Sequence, residues 1–295
     1  MKPDSKRIGL IGIGLLGSAI ADRLLQQDFV VSGFDVDHGC LDAFEAMGGK
    51  TCRDAGEVFT DCETVLLSLP TSAIVCELLS QDATGASGNL TIVDTTTGDP
   101  NQMTAIAESL RQRGIAYVEA NVAGSSEQLR DGRAMLLVGG EESTVATLEH
   151  LFASIADKHI HIGPVGSASR FKLVHNLILG LNRAVLAEGL TFAESLGFDP
   201  AVALEILQQT PAASAVMDTK GSKMVSADYK PQARLSQHLK DVLLILAEAE
   251  RTGAKTPLSE LHQALLQTAE QLGFGDADNS AVIEAFRPRR RESEA

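Results

Sequence analysis

Hydrophobic residues follow two different patterns along this chain, and the change lies near residue 165. In the first part, short apolar runs rich in β-branched residues alternate with stretches of helical spacing, such as residues 18–26 and 100–113. Asp99, Pro100 and Gly114 are the start and stop signals of the second of these helices. The alternation predicts a parallel sheet with right-handed crossovers and helices on both faces. The predicted strands are residues 7–11, 29–34, 64–69, 90–93, 115–118 and 135–138.

The second part of the chain lacks the strand pattern and predicts helices only. A segment of helical periodicity covers residues 169–196 and ends before Gly197; as one helix it would be about 40 Å long. Further helix starts are predicted at Pro200, Pro257 and Asn279. We therefore predict an α/β Rossmann-type domain with a parallel sheet over residues 1–165, and an all-α domain over residues 166–295.

A glycine-rich turn between the first strand and the first helix predicts a dinucleotide site. In the G-x-G-x-x-G pattern the first glycine makes a tight turn, the second lets the backbone approach a pyrophosphate, and the third allows close helix–strand packing. Asp35 ends the second strand, where a carboxylate binds ribose hydroxyls, and neither Val36 nor Asp37 offers a cation to a 2′-phosphate. NAD is therefore the predicted cofactor, and NADP is disfavoured. The residues assigned to the phosphate loop are Gly12, Ile13, Gly14, Leu15, Leu16 and Gly17.

Lys172 and Asn176 are four residues apart in the long helical segment, so both are predicted on one face of the helix. Beside a nicotinamide, this pair suits a lysine acid/base next to an amide that can donate or accept a hydrogen bond. We expect the intervening His175 to pack or to form a hydrogen bond rather than to act as a second acid. The opposite face is expected to hold the helix by packing, through Val174, Ile178, Leu181 and Val185.

Composition and charge exclude several other classes of protein. The 295-residue chain is 44% hydrophobic and 22% charged, which is ordinary for a globular protein, and its formal charge of −14 is unfavourable for a nucleic-acid partner. No apolar run approaches the roughly 18 residues of a membrane span. The first residues lack a secretory signal, so we predict a cytoplasmic protein. The four cysteines and seven histidines lack metal-ligand spacing, and we predict no metal site.

Short motifs in a fixed order extend these features over nearly the whole chain. They are residues 12–17, Leu69-Pro70, Asp94-Thr-Thr-Thr-Gly-Asp-Pro100, Val122-Ala-Gly-Ser125 with Gly132, Gly163-Pro-Val-Gly166, Lys172 with Asn176, Lys240-Asp241, and Gly273-Phe-Gly-Asp-Ala-Asp278. In this order and spacing the chain resembles the β-hydroxyacid dehydrogenase family, which includes 3-hydroxyisobutyrate dehydrogenases and tartronate semialdehyde reductases. The resemblance implies a Rossmann domain that binds NAD(P) and an all-helical second domain like that of 6-phosphogluconate dehydrogenase.

The resemblance also implies roles for individual residues. Lys172 is the general acid/base, Asn176 orients the reacting oxygen, and Lys240 lies near nicotinamide and substrate. A nearby cation favours the neutral form of a lysine, and we assign this effect on Lys172 to Lys240. The remaining assignments are Leu69, Pro70 and Thr96 along the ribose and nicotinamide, and Ala123, Gly124 and Ser125 around the substrate carboxylate.

The predicted substrate loop departs from the family pattern. The family reads Asp-Ala-Pro-Val-Ser-Gly-Gly where this chain has Glu119-Ala-Asn-Val-Ala-Gly-Ser125. A hydroxyl donor is thereby lost at Ala123, and Ala168 replaces a usual glycine before the helix of Lys172. These changes leave the identity of the substrate undetermined, but they do not alter the predicted type of reaction.

The combined features predict an NAD-dependent oxidoreductase that interconverts a small 3-hydroxy acid and its semialdehyde. Hydride passes to the nicotinamide, and Lys172 is the acid/base. The altered loop keeps another small polar acid open as the substrate, such as a threonate, a glycerate-type acid or a sulfonate. An NAD-binding sensor without turnover is the alternative from a different class, and it has no need of Lys172 and Asn176. The long helix and the apolar helical domain suggest a homodimer or homotetramer.

Overall fold

One sheet of eight strands forms the centre of the N-terminal part of the molecule. The computed structural model describes residues 6–83 and 89–287. The strands are β1 (Arg7–Ile11), β2 (Val30–Phe34), β3 (Lys50–Thr51), β4 (Thr64–Leu67), β5 (Thr91–Asp94), β6 (Ala116–Ala123), β7 (Met135–Gly139) and β8 (Lys158–Gly163). Their order across the sheet is β3-β2-β1-β4-β5-β6-β7-β8. Neighbouring strands are parallel except β6 and β7, which are antiparallel.

Helices cover this sheet on both faces because alternate strand residues enter two separate hydrophobic clusters. Ile8 and Leu10 belong to one cluster, whereas Ile11, Val65 and Leu67 belong to the other. Side-chain caps begin several of the helices, as at Asp99, which accepts from the main chain of Asn101. The helices are α1 (Leu15–Gln26), α2 (His38–Ala46), α3 (Ala55–Asp61), α4 (Ser72–Gln81), α5 (Pro100–Gln112), α6 (Ser126–Arg130), α7 (Glu142–Thr147) and α8 (Glu149–Ile155).

The predicted fold class is confirmed, with three differences in the sheet. The two-residue strand β3 is too short to leave a pattern, and β8 reads Lys-His-Ile-His-Ile-Gly, a polar sequence at the edge of the sheet. The antiparallel strand β7 follows from its connection, which contains only the five-residue helix α6. Such a connection is too short for the crossover that a parallel neighbour requires.

Between residues 166 and 287, the described part of the C-terminal region, the regular structure is helical apart from one isolated bridge between Arg234 and Asp278. Its helices are α9 (Ser167–Ser195), α10 (Pro200–Gln208), α11 (Ser222–Ser226), α12 (Leu235–Thr252) and α13 (Pro257–Ala269). Met217–Gly221 and Glu270–Phe274 are π-helical, and Asn279–Ala285 is a 3₁₀ helix. A third hydrophobic cluster joins α9, α12, α13 and the 3₁₀ helix through Ala187, Leu190, Val242, Leu266 and Val282.

Contacts along the chain define two compact units, Met1–Lys172 (unit 1) and Leu173–Ala295 (unit 2). The division falls inside α9, whereas the change of sequence pattern places the domain boundary between residues 165 and 166; that boundary stays a prediction. The outer ends of both predicted domains, and most of the segment judged to lack a secretory signal, lie outside the described residues. Helix α9 has 29 residues, yet within the described ranges neither it nor another helix combines the length and apolar character that crossing a membrane requires.

The face of α9 that was expected to pack is exposed in the single chain. Val174, Ile178 and Val185 are 51%, 55% and 68% exposed, whereas Lys172 and Asn176 are only 7% and 5% exposed. Within the single chain, the prediction that the apolar face anchors the helix is therefore wrong. A helical pattern separates two faces but does not tell which of them the chain itself covers, and here polar partners cover the Lys–Asn face.

Candidate active site

The glycine turn between β1 and α1 has the geometry of a phosphate loop. Gly12 has φ +90°, and a Cβ there would lie 2.3 Å from the main-chain oxygen of Ser68. A Cβ on Gly17 would lie 1.9 Å from the oxygen of Gly12, so both positions require glycine for packing. A Cβ on Gly14, in contrast, would meet no atom within 4 Å. Gly14 therefore leaves open space beside the loop, as the approach of a pyrophosphate demands.

The N-terminus of α1 opens onto this space. Gly14 is its N-cap residue, and no side chain caps the helix. The first N–H groups of a helix lack intrahelical partners and carry partial positive charge, which favours a phosphate. The residues present therefore fit a dinucleotide, with Leu15, Leu16 and Gly17 supplying N–H groups.

Asp35 follows β2 and is tied to the glycine turn. Its carboxylate accepts from the main-chain N–H of Ile13 at 2.6 Å and of Asp37 at 2.9 Å. These bonds hold the carboxylate at the carboxyl end of β2, where a ribose binds in dinucleotide folds.

Arg53 is a cation that the sequence pattern did not connect with this carboxylate. Gly33 of β2 pairs with Thr51 of β3, so extending the parallel register brings Asp35 level with Arg53. The side chain of Arg53 is exposed and pairs with Glu57 at 3.3 Å. No local signal could have found it, because the connection depends on the two-residue strand β3.

The loops after β4 and β5 hold the residues predicted along the nicotinamide. The main-chain N–H of Leu69 donates to the hydroxyl of Thr96 at 3.1 Å, and the amide of Asn121 donates to the main-chain oxygen of Thr96 at 2.8 Å. Pro70 follows Leu69 and is exposed. Thr96 thus links the ends of β4 and β6, at the carboxyl edge where ligands bind in open α/β sheets.

Asp94 is a fully buried carboxyl at the end of β5. It accepts from the main-chain N–H of Thr96 at 2.8 Å and from the hydroxyl of Tyr117 at 2.7 Å. Burial raises the pKa of Asp94 to about 6, although both hydrogen bonds act to lower it. The Asp94 carboxyl therefore positions the loop of Thr96. Its raised pKa also makes its charge at the predicted site depend on pH near 6.

Lys172 reaches the same edge of the sheet from α9. Its ammonium donates to the main-chain oxygen of Val122, in β6, at 2.6 Å. Asn121, which contacts Thr96, precedes Val122 directly. A path of contacts therefore runs from the glycine turn through the loops after β4 and β5 to Lys172, all within unit 1.

The predicted carboxylate loop has a structural task of its own. Ser125 is the N-cap of α6: its hydroxyl accepts from the N–H of Gln128 at 3.2 Å, and its own N–H donates to the side chain of Gln128 at 2.9 Å. Ser-x-x-Gln is the signature of this capping box and was readable in the sequence. Gly124 is confined as well, since a Cβ there would lie 2.8 Å from that of Ala134. A carboxylate bound by the N–H of Ser125 would have to displace Gln128.

The predicted site residues of unit 2, Asn176 and Lys240, are joined through the carboxylate of Asp241. The amide of Asn176 donates to Asp241 at 2.8 Å, and its oxygen lies 3.0 Å from Nδ1 of His175. Lys240 pairs with the other oxygen of Asp241 at 3.0 Å. Asp241 therefore holds both Asn176 and Lys240, a role that its sequence position did not reveal, and it offsets part of the charge of Lys240.

Two family models match adjacent parts of the chain. The NAD-binding domain of 6-phosphogluconate dehydrogenase matches residues 7–163. The domain described as NAD-binding of NADP-dependent 3-hydroxyisobutyrate dehydrogenase matches residues 166–286. Together they cover both the glycine turn and the helix of Lys172.

Individual proteins are similar over nearly the whole chain. The 2-(hydroxymethyl)glutarate dehydrogenase of Eubacterium barkeri is 27% identical over 286 residues, which are 96% of this chain and 95% of that protein. The cytokine-like nuclear factor N-PAC of Homo sapiens is 28% identical over 287 residues, and the chain spans about half of it, 52%. The 3-hydroxyisobutyrate dehydrogenase structure from Salmonella typhimurium superposes with a TM-score of 0.88 at 21% identity, over 94% of this chain and 99% of that one.

Proposed function

This chain belongs to the β-hydroxyacid dehydrogenase family, and we propose that it is an NAD-dependent oxidoreductase that interconverts a small 3-hydroxy acid and its semialdehyde. The predicted family and its NAD-binding domains are confirmed. The observation that carries the proposed activity is the buried ammonium of Lys172, placed on the oxygen of Val122 at the sheet edge that also holds the glycine turn. A lysine is rarely buried without a functional or structural reason.

In the proposed reaction, the residues of the chain manage the proton and the position of the substrate. A bound nicotinamide would supply the hydride acceptor. Lys172 takes the proton of the substrate hydroxyl and returns it in the reverse direction, while Asn176 orients the reacting oxygen through its bond to Asp241. General acid/base catalysis of this kind typically contributes about 10²–10⁴ in rate. Lys240 assists because its positive charge favours the neutral form of Lys172. Its ion pair with Asp241 weakens this effect.

We propose NAD rather than NADP because Asp35 occupies the position of the ribose-binding carboxylate. Its negative charge disfavours a 2′-phosphate. Arg53 acts against this preference, since extending the register of β2 and β3 by two residues brings it level with Asp35. The preference is therefore expected to be moderate.

The substrate class is supported by the names of two similar proteins. Both 3-hydroxyisobutyrate and 2-(hydroxymethyl)glutarate carry a hydroxymethyl group on the carbon that bears a carboxylate. We propose that this chain acts on an acid with the same arrangement, and that the Ala123–Ser125 loop, residues 123–125, binds the carboxylate. Because Ala123 lacks the family's hydroxyl, a threonate, a glycerate-type acid or a sulfonate is the second substrate class.

A second candidate function is NAD binding without turnover. It is motivated by N-PAC, a relative that is named as a nuclear factor and not as an enzyme. Such a protein needs the glycine turn and Asp35 but neither Lys172 nor Asn176. The joint presence of these two buried polar residues favours the enzyme.

The test is the appearance of NADH absorbance with a panel of small 3-hydroxy, threonate-type and sulfonate acids. At least one of them should be oxidised, and Lys172→Ala should lower kcat by about 10²–10⁴-fold while NAD still binds, as measured by isothermal titration calorimetry. Full activity in Lys172→Ala would overturn the proposed mechanism. NAD binding without turnover of any acid would favour the sensor.

We also propose that the protein is a cytoplasmic homodimer or homotetramer. The exposed residues Val174, Ile178 and Val185, with Phe192 at 62% exposure, repeat at intervals of four and seven along α9. Such a seam suits a second copy of the same helix. The mass in solution should be that of an oligomer, and Val185→Glu should shift it toward the monomer. A wild-type monomer at micromolar concentration would contradict this assignment.

A further inference from the structure

Glu119 is a buried carboxylate of unit 1 that the proposed reaction does not use. It lies in β6, is 1% exposed, and accepts from the main-chain N–H of Gly166 at 2.7 Å. It also accepts from the hydroxyl of Ser169 and from the main-chain N–H of Ala168. All three donors belong to the first turn of α9 or its N-cap, so one strand carboxylate holds the start of the helix that carries Lys172.

The neighbouring strand leaves room for this side chain to reach the helix. Gly139 of β7 pairs with Glu119 across the antiparallel ladder. A Cβ on Gly139 would lie 2.6 Å from the carboxylate of Glu119 and 3.1 Å from the nitrogen of Ala168. Glu119 and Ala168 both depart from the family pattern, which has an aspartate and a glycine at these two positions. The carboxylate of Glu119 and the main chain of Ala168 therefore meet in the space that Gly139 leaves.

The same strand receives the side chain of Lys172. Val122 is three residues beyond Glu119 in β6, and Lys172 is three residues beyond Ser169 in α9. Glu119 binds Ser169, and the oxygen of Val122 accepts from Lys172. Two contacts between one strand and one helix restrict both the rotation and the translation of the helix relative to the strand.

We propose that Glu119 is a positioning residue for Lys172: its carboxylate fixes the first turn of α9 so that the lysine nitrogen is held at the oxygen of Val122. This inference rests on the proposed acid/base role of Lys172. A carboxylate suits the task because it accepts several N–H and O–H bonds at once and complements the positive end of a helix. Charge-assisted bonds of this kind are about twice as strong as neutral ones.

The alternative is that Glu119 caps α9 and contributes only to stability. Glu119→Gln separates the two roles, because it keeps the size of the side chain but replaces one acceptor oxygen by a donor. If the lysine is mispositioned, kcat should fall by about 10²-fold, as an ångström of misplacement can cause. The NAD dissociation constant should stay unchanged. In the oxidation direction the acidic limb of the kcat–pH profile should move to lower pH, since the oxygen of Val122 no longer favours the ammonium form.

Controls distinguish this effect from a loss of stability. Asp199→Ala removes the cap of α10, where Asp199 accepts from the N–H of Ala201 at 2.7 Å, and α10 carries none of the predicted site residues. Loss of such a cap lowers the melting temperature and should leave kcat unchanged. Glu119→Asp should restore part of kcat. A Glu119→Gln protein with a lower melting temperature but the wild-type kcat and pH profile would overturn the proposal.

Two further variants keep the outcome interpretable. Where Glu119→Gln does not fold, Ser169→Ala removes a single donor and should lower kcat several-fold with the same direction of pH shift; an unchanged kcat there would also reject positioning. Lys172→Ala tests the proposed function by itself. Full activity of Lys172→Ala rejects the acid/base role, whereas loss of activity in Lys172→Ala with none in Glu119→Gln rejects only the positioning role.

Discussion

The buried groups with shifted pKa values differ between the two units: they are acids in unit 1, which also buries the ammonium of Lys172, and mainly bases in unit 2. Unit 1 buries carboxyls: Asp94 and Glu119 are register partners on β5 and β6, and burial raises the pKa of both, that of Asp94 to about 6. Unit 2 buries bases: burial lowers the pKa of His262 to about 4 and that of Arg183 to about 10. The units should therefore respond to pH in opposite directions.

The buried groups also differ in how well they are paired. Asp94 and Glu119 accept hydrogen bonds from loops and from a helix start, so each organises part of the predicted site. In unit 2, Nε and Nη1 of Arg183 and Nε2 of His262 have no hydrogen-bond partner in the part of the chain that the structure describes. In unit 1 the buried carboxyls thus accept hydrogen bonds that position other residues. In unit 2 two buried bases lack some of their hydrogen bonds, and one buried carboxylate is strongly bound.

That carboxylate is Asp278, and its partner Lys220 gives the largest expected effect. Lys220 donates to both oxygens of Asp278, at 2.9 and 2.8 Å. Burial alone would raise the pKa of Asp278, but Lys220 and the main-chain donors lower it on balance. Lys220→Met leaves an unpaired buried carboxylate and should reduce the free energy of unfolding in denaturant by about 3–5 kcal/mol.

The matched control for Lys220→Met is Arg251→Met on the surface of α12. Arg251 forms an exposed ion pair with Glu248, and such pairs contribute about 0–1 kcal/mol. Adding Asp278→Asn to Lys220→Met should recover part of the lost stability, because it removes the unpaired charge. Equal, small losses for Lys220→Met and Arg251→Met would show that Asp278 does not organise unit 2 as described.

His262 provides the next test, through the pH dependence of stability. The unfolded imidazole takes up a proton near its ordinary value of 6.5, but the folded one only near about 4. The unfolded state binds more protons between these values, so stability should fall by about 3 kcal/mol as pH drops from 6.5 to 4. In His262→Gln this loss should be absent from denaturant unfolding measured across that range. The same acid-side loss in the variant would contradict a neutral buried His262.

Asp94 should show an effect of similar size and of the opposite sign. Its folded pKa of about 6 lies above the ordinary 3.8, so the folded state binds more protons between those values. Stability from this group should fall by about 3 kcal/mol as pH rises from 4 to above 6. Asp94→Asn does not titrate and should remove this dependence. In the wild type the opposite pH dependences of stability from His262 and Asp94 partly cancel below pH 6. His262→Gln should therefore reveal the dependence that Asp94 causes, and Asp94→Asn the one that His262 causes. If stability changed with pH in the same direction in both variants, the proposed difference between the units would be wrong.

The sequence predicted those parts of fold and site that depend on local spacing. The glycine turn, Asp35 and the Lys172–Asn176 pair were recognisable because neighbours in the chain form each feature. Asp94 and Glu119 stood in motifs, but their partners come from other strands or from α9 across the fold. Arg53 was missed because β3 is only two residues long. The face of α9 was misassigned because partners outside the helix decide which of its faces is buried.

The smallest expected effect concerns Asp35 and Arg53, a half-buried and an exposed charge at the cofactor end of unit 1. Unlike Asp94 and Glu119, they are close enough to solvent for their interactions to be screened. Asp35→Ala should reduce the preference for NAD over NADP, measured as the ratio of the two kcat/KM values, by about tenfold, or about 1.4 kcal/mol. If Arg53 supplies the cation for a 2′-phosphate, adding Arg53→Ala to Asp35→Ala should cancel most of the gain with NADP, whereas Arg53→Ala alone should hardly change kcat/KM for NAD. An unchanged ratio in Asp35→Ala would refute the ribose assignment, and a gain with NADP that persists without Arg53 would place the phosphate elsewhere.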